Sequence, residues 1–183
     1  LDCGMHPKHE GKPSLPKLNL IDGSIDGVIL THCHLDHLGS LPVLLRQHPG
    51  SRVYTSAASA LFARRLLSNS IQVMKRQREE HGNQDLPLYV EQDVDRVENA
   101  LAAVPLANPR KIGRGGEEIS FSFHLAGHVA GAIGCLIEHR KKRFFFTGDV
   151  HFQAQRTVGA AAFPREPVDT LVMECTRGAT ASI

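Results

Sequence analysis

Residues 32–37 read His32-Cys33-His34-Leu35-Asp36-His37, three imidazoles and a carboxylate within six positions. Imidazole nitrogen and aspartate oxygen are the donors that zinc and other borderline first-row ions take. The stretch leading into them, IDGVILTH (25–32), is a short apolar run with β-branched residues and predicts a buried strand. In a non-helical loop, His32 and His34 can point one way while Asp36 and His37 point slightly apart, so one loop can serve two adjacent ions. The competing reading is a solvated loop rich in histidine by chance. The dense, ligand-only spacing counts against it.

Two segments of the second half add donors. Ala126-Gly127-His128 ends EISFSFHL, where Ile119, Phe121 and Phe123 alternate with Ser120, Ser122 and His124 as in a half-buried strand. Thr147-Gly148-Asp149 ends AIGCLIEHRKKRFFFTGD (132–149), which reads as two apolar strands joined by a basic tip, Arg140 to Arg143. Taken singly, a His or an Asp beside a glycine is more often a turn residue. Alongside the 32–37 motif, the pair points to functional residues presented at one end of a sheet.

Further out, SLPVLLRQ (40–47) predicts a short helix with Ser40 as its cap and Pro42 in its first turn. RVYTS (52–56) predicts a strand, and 57–81 a long Ala- and Leu-rich helix ending at Gly82. EQDVDRVENALAAV (91–104) places Val94, Val97, Leu101 and Val104 on one helical face. PVDTLVMECT (167–176) predicts a further buried strand. Helices and strands intermix, so the class is α/β or α+β. With 183 residues, 42% hydrophobic and 22% charged, the chain suits one globular domain. No apolar run approaches the roughly 18 residues of a membrane span. The net charge of +2 argues neither for nor against a nucleic-acid partner. Cys3, Cys33, Cys135 and Cys175 are scattered, as in a cytoplasmic protein with reduced thiols. The chain opens on Leu1 and LDCG without an initiator Met, which suggests a longer parent.

HCHLDH, AGH and TGD, in that order, resemble motifs two, three and four of the metallo-β-lactamase superfamily, and LDCG resembles motif one. The resemblance covers essentially the whole chain. It implies a four-layered αββα sandwich, incomplete at both ends, with metals at the sheet edge. It further implies two zinc ions: His32, His34 and His128 on one, Asp36 and His37 on the other, Asp149 bridging. Asp2 would orient the metal loop without touching an ion. LDCGMHP, THCHLDHLGSLP and AGHVAGAIGCLIEHRKKRFFFTGD are closer to the beta-CASP branch, the nucleases similar to ribonuclease J and the cleavage and polyadenylation endonuclease. Leu171 to Thr176 resembles that branch's motif A, with Glu174 as its acidic residue. Cys175 stands where Ser or Thr is usual and Arg177 where Tyr is common, departures that touch motif A alone.

That likeness implies hydrolysis of single-stranded RNA, or DNA, by a metal-bridged hydroxide that Asp36 orients. The acid would be a downstream histidine positioned by Glu174. A beta-CASP domain is expected beyond about residue 176, so residues 1–183 would form a partial catalytic core that cleaves RNA poorly or not at all alone. A thioesterase or lactonase of the same fold is the competing enzyme, and would need a final His soon after Asp149. A metal-free scaffold subunit would have no reason to keep six ligands. Cys33 is expected to pack, His124 and His151 to lie on the surface or support the site, and the Arg140–Arg143 tip to keep an edge soluble.

Overall fold

The structure, a computed structural model, describes residues 1–113, 116–176 and 178. The chain divides into two compact units, Leu1–Pro105 and Leu106–Ile183. Each contains one sheet, and helices of the α type belong to the first, so the class is mixed α/β as the sequence predicts.

In the first unit, β1 (Gly27–Ile29), β2 (Arg52–Thr55) and β3 (Leu101–Ala103) form a parallel sheet in that order. Parallel neighbours need crossover connections, and helices supply them. Between β1 and β2 lie α1 (Leu35–Leu38) and α2 (Leu41–Gln47); between β2 and β3 lie α3 (Ala57–His81) and α4 (Glu91–Ala100). The long helix has the predicted bounds because its ends are encoded locally. Ser56 caps it by accepting from Ser59 N at 3.1 Å, and Gly82 closes it in the left-handed region at φ 70°. Its buried stripe, Ala63, Leu67, Ile71 and Met74, has the spacing of one helical face and packs in the core with Leu38, Leu41, Leu45, Val53, Val94 and Val97.

Two expectations need correction here. The pattern over 91–104 is helical only to Ala100, and Leu101 turns extended at ψ 134°. Residues 101–103 complete the parallel ladder with Val53, Tyr54 and Thr55, and that pairing overrides the helical periodicity. Ser40 stands at the N-cap of α2, but its hydroxyl makes no cap hydrogen bond and donates to Gly4 O at 2.8 Å.

In the second unit the order is β4 (Arg110–Ile112), β5 (Ile119–Leu125), β6 (Ile133–His139), β7 (Lys142–Phe146) and β8 (Thr170–Val172). All neighbours are antiparallel except β7 and β8. Phe121, Phe123, Ile133, Cys135, Leu136 and Phe145 are buried. The strand at 167–176 forms only over Thr170–Val172 and is not buried: Leu171 and Val172 are 54% and 40% exposed. Among the described residues it is an edge strand paired with β7 alone, a position that apolar composition cannot reveal. The basic tip predicted over Arg140 to Arg143 narrows to the two-residue turn Arg140-Lys141; Arg140 pairs with Glu117, and Lys142, the first residue of β7, with Asp169 at 2.9 Å.

Candidate metal centre

In the first unit the chain leaves β1 through Leu30 and Thr31 into His32, which is fully buried. The segment 2–5 runs beside this exit. Asp2 N donates to Ile29 O, Cys3 N to His37 O and Met5 N to Leu35 O, at 2.8, 2.8 and 2.9 Å. Gly4 lies so close to the loop that a Cβ there would fall 1.6 Å from the Asp36 carbonyl oxygen. That contact explains the glycine of LDCG, which the sequence could not. The loop itself is partly helical, correcting the non-helical expectation: His34 O accepts from both His37 N and Leu38 N, closing the turn of α1. Asp36 and His37 are successive residues of that turn, and both keep an atom near the other.

The Asp2 carboxylate organises the imidazoles. Its Oδ1 accepts from Thr31 N at 2.7 Å, and its Oδ2 accepts from the Thr31 hydroxyl at 2.9 Å. The same Oδ2 lies 2.8 Å from His37 Nδ1, a contact that orients the ring by accepting a proton carried on Nδ1. The Thr31 hydroxyl also lies 3.2 Å from His32 Nδ1. Its own proton goes to Asp2, so the His32 ring donates there, and His32 Nε2 becomes the acceptor atom. This Nε2 faces His34 Nδ1 at 3.0 Å, and His37 Nε2 lies 3.7 Å from Asp36 Oδ2. Thr31 is a supporting residue that the sequence reading missed; its place next to His32 is the only signal it gave.

The second unit builds a second donor pair. Gly127 takes φ 74°, and a Cβ on it would meet His151 O at 2.3 Å. Gly127 bridges Val150, and His151 N donates to Ala126 O at 2.8 Å, so the AGH and TGD segments are tied together. His128 Nε2 consequently lies 3.6 Å from Asp149 Oδ2. Glu174, just past β8, accepts from Val150 N at 3.1 Å through Oε1 and from Thr176 N at 3.1 Å through Oε2. Burial works to raise its pKa, but the Val150 N–H, the Thr176 hydroxyl and N–H, and nearby His128 outweigh it and hold the carboxyl below its ordinary value. Gln155 was also missed: its Nε2 donates to Gly127 O at 2.7 Å and His128 O at 2.9 Å, across a sequence gap that offers no pattern.

On donor chemistry these residues fit a divalent transition ion. Imidazole nitrogens and carboxylate oxygens approach in pairs at 3.0, 3.7 and 3.6 Å, spacings suited to donors that share an ion. A proton shared between His32 and His34 is what a bound cation would displace. The remaining candidates take supporting places. Cys33 is buried, donates to Ser59 O at 2.9 Å, and burial pushes its thiol up to about 11, so it is a packing residue. His124 lies on β5 with its ring edge-on to Phe145, and burial lowers its pKa. His151 is exposed, as is Cys175; Arg177 lies outside the described residues. The described cysteines form no disulfide.

The model of the metallo-beta-lactamase superfamily matches residues 1–176. The chain is 30% identical to cleavage and polyadenylation specificity factor subunit 3-I of Arabidopsis thaliana, over 97% of this chain and 24% of that protein. It is 32% identical to endoribonuclease YSH1 of Eremothecium gossypii, over 97% of this chain and 23% of that protein. It is 31% identical to cleavage and polyadenylation specificity factor 73 of Drosophila melanogaster, over 97% and 25%. The chain thus spans about a quarter of the length of the curated relatives it matches.

Proposed function

The chain belongs to the metallo-beta-lactamase superfamily, and from that premise we propose that it is the metal-binding core of a beta-CASP endonuclease that hydrolyses phosphodiester bonds of single-stranded RNA. The observation that carries the reading is the orientation of the 32–37 donors by Asp2, which fixes ring nitrogens for metal without spending the Asp36 carboxylate. The likeness to proteins named endoribonucleases supplies the substrate class.

His32, His34 and His128 would hold one ion and Asp36 and His37 the other, with Asp149 as a further carboxylate ligand. Zinc suits this nitrogen-rich set best. Two such ions, when bound, supply Lewis acidity to the phosphoryl oxygens and make a water acidic enough to attack at neutral pH. Asp36, whose side chain is 47% exposed, would accept the proton of the attacking water. Glu174 acts as a positioning residue for a histidine acid contributed by the beta-CASP domain, which follows residue 176 in the longer protein. A reducing compartment, the cytoplasm or another site of RNA processing, suits cysteines that form no disulfide.

The test is metal analysis joined to cleavage. The longer protein should carry up to two zinc equivalents and cut single-stranded RNA, and His32→Ala should lose metal. Asp36→Asn should lower cleavage by several orders of magnitude. Turnover of a thioester or lactone without RNA cleavage would assign the core to a small-molecule hydrolase instead.

A further inference from the structure

We propose that a cleft of the first unit, alongside Asp36, is the subsite that seats an unpaired nucleobase of the strand being cut; this rests on the nuclease reading above. The cleft encloses about 270 Å³ and has Met5, Leu35, Val73 and Met74 as its apolar lining, with Asp36 forming part of its wall. An occupant would therefore lie against a residue already assigned to the metal centre. Leu35 and Val73 are 36% and 42% exposed, apolar surface that a flat ring would remove from water.

The other side of the cleft is aromatic. The rings of His6 and His9 stack with centroids 4.3 Å apart and planes 36° from parallel, and both residues are exposed. The loop carrying them is anchored. His6 N donates to Ser14 O at 2.7 Å, His9 N to His6 O at 3.3 Å, and Lys8 N to His6 Nδ1 at 3.2 Å. Glu10 ties the loop to the end of α3 through His81 at 3.0 Å and Gln77 at 3.3 Å. A fixed loop presents its rings at little entropic cost to binding.

A volume this small, below the usual range of about 300–1,000 Å³ for ligand pockets, suits one base and not a stacked pair. Unpaired bases are held by stacking on aromatic side chains, histidine included, and stacking tolerates any base because each has a π face. The exposed Lys8, between the two histidines, adds a cation for the backbone phosphate. The cleft thus selects for an unpaired base next to the scissile bond, and against duplex, without reading sequence.

The experiment uses the metal-loaded longer protein and a fluorescent phosphorothioate RNA hexamer. His6→Ala/His9→Ala should weaken binding about tenfold, the effect of roughly 1.4 kcal/mol of base stacking. Metal content and binding of inorganic phosphate should stay unchanged, and His9→Phe should bind as the wild type does. Hexamers lacking one base in turn should include one that weakens the wild type but costs the double variant nothing further. Equal affinity of wild type and double variant, or a series with no such position, overturns the subsite and leaves the nuclease reading standing. His9→Phe binding as poorly as His9→Ala overturns stacking as its basis. A metal-loaded wild type that binds phosphate but no RNA overturns the nuclease reading and the subsite together.

Discussion

Asp2 Oδ2 lies 2.8 Å from His37 Nδ1 although the two residues are 35 positions apart in the chain. The same oxygen takes the Thr31 hydroxyl proton, so one carboxylate orients His37 directly and His32 through Thr31. Carboxylate partners of this kind fix the ring and raise its basicity toward metal. Asp2→Asn keeps the size but loses charge and an acceptor. Zinc affinity, measured by competition with a chromophoric chelator, should fall about 10–100-fold, whereas unchanged affinity would confine Asp2 to holding the backbone.

Gly4 is the tightest backbone approach to the 32–37 loop. A methyl group there cannot coexist with the Asp36 carbonyl, so Gly4→Ala must push the loop away from segment 2–5. The cost should exceed about 3 kcal/mol, as for severe overpacking. Calorimetry should show a lower Tm, and zinc stoichiometry should drop because Asp36 and His37 move with the loop. A folded variant with full zinc content would contradict this.

The hairpin of β6 and β7 turns on two residues with side chains in the left-handed region, Arg140 at φ 46° and Lys141 at φ 66°. Glycine favours that conformation and suits the second position of such a turn. Lys141→Gly spares the Arg140–Glu117 ion pair. It should stabilise the protein by about 1 kcal/mol, since left-handed backbone costs a non-glycine residue roughly that much. A higher urea midpoint with an unchanged slope would be the confirming result.

Asp93 is buried at the start of α4, where it accepts from Arg46 at 2.6 Å, Arg96 at 2.6 Å and Val90 N at 3.1 Å. Burial tends to raise its pKa, but Arg46, the Val90 N–H and Arg96 outweigh it and hold the carboxyl below its ordinary 3.8. Between the two values the unfolded chain binds more protons, so stability rises with pH there. The contribution is complete above pH 3.8 and is lost as pH falls through the depressed value. Asp93→Asn should cost about 2 kcal/mol at pH 7, the scale of charge-assisted hydrogen bonds. In urea unfolding the gap from wild type should close in strong acid.

What was legible in the sequence was what is locally encoded. The long helix could be bounded to the residue because Ser56 and Gly82 act within a turn of its ends. The donors of 32–37, His128 and Asp149 stood out because ligand chemistry restricts residue types. Leu101 to Ala103 and Thr170 to Val172 misled because short strands are decided by partners far along the chain. Gln155 left no trace, since an amide holding two carbonyls has no motif.

Glu174 separates the beta-CASP reading from a generic one, and its surroundings allow a sharp test. The carboxylate bridges Val150 N and Thr176 N, so it braces the residue that follows Asp149. Held below its ordinary pKa by the causes given above, it is ionised at neutral pH and can orient a histidine by accepting its N–H. Glu174→Gln keeps one oxygen as an acceptor while removing the charge. If Glu174 positions a histidine acid in the longer protein, zinc content and KM should hold while kcat falls about 10²–10⁴-fold, the usual range for general-acid function. The basic limb of the pH–rate profile should also move to lower pH, because a histidine that loses a carboxylate partner gives up its proton more readily. A brace and nothing more would behave otherwise: Tm or zinc content would fall, and the profile would keep its shape.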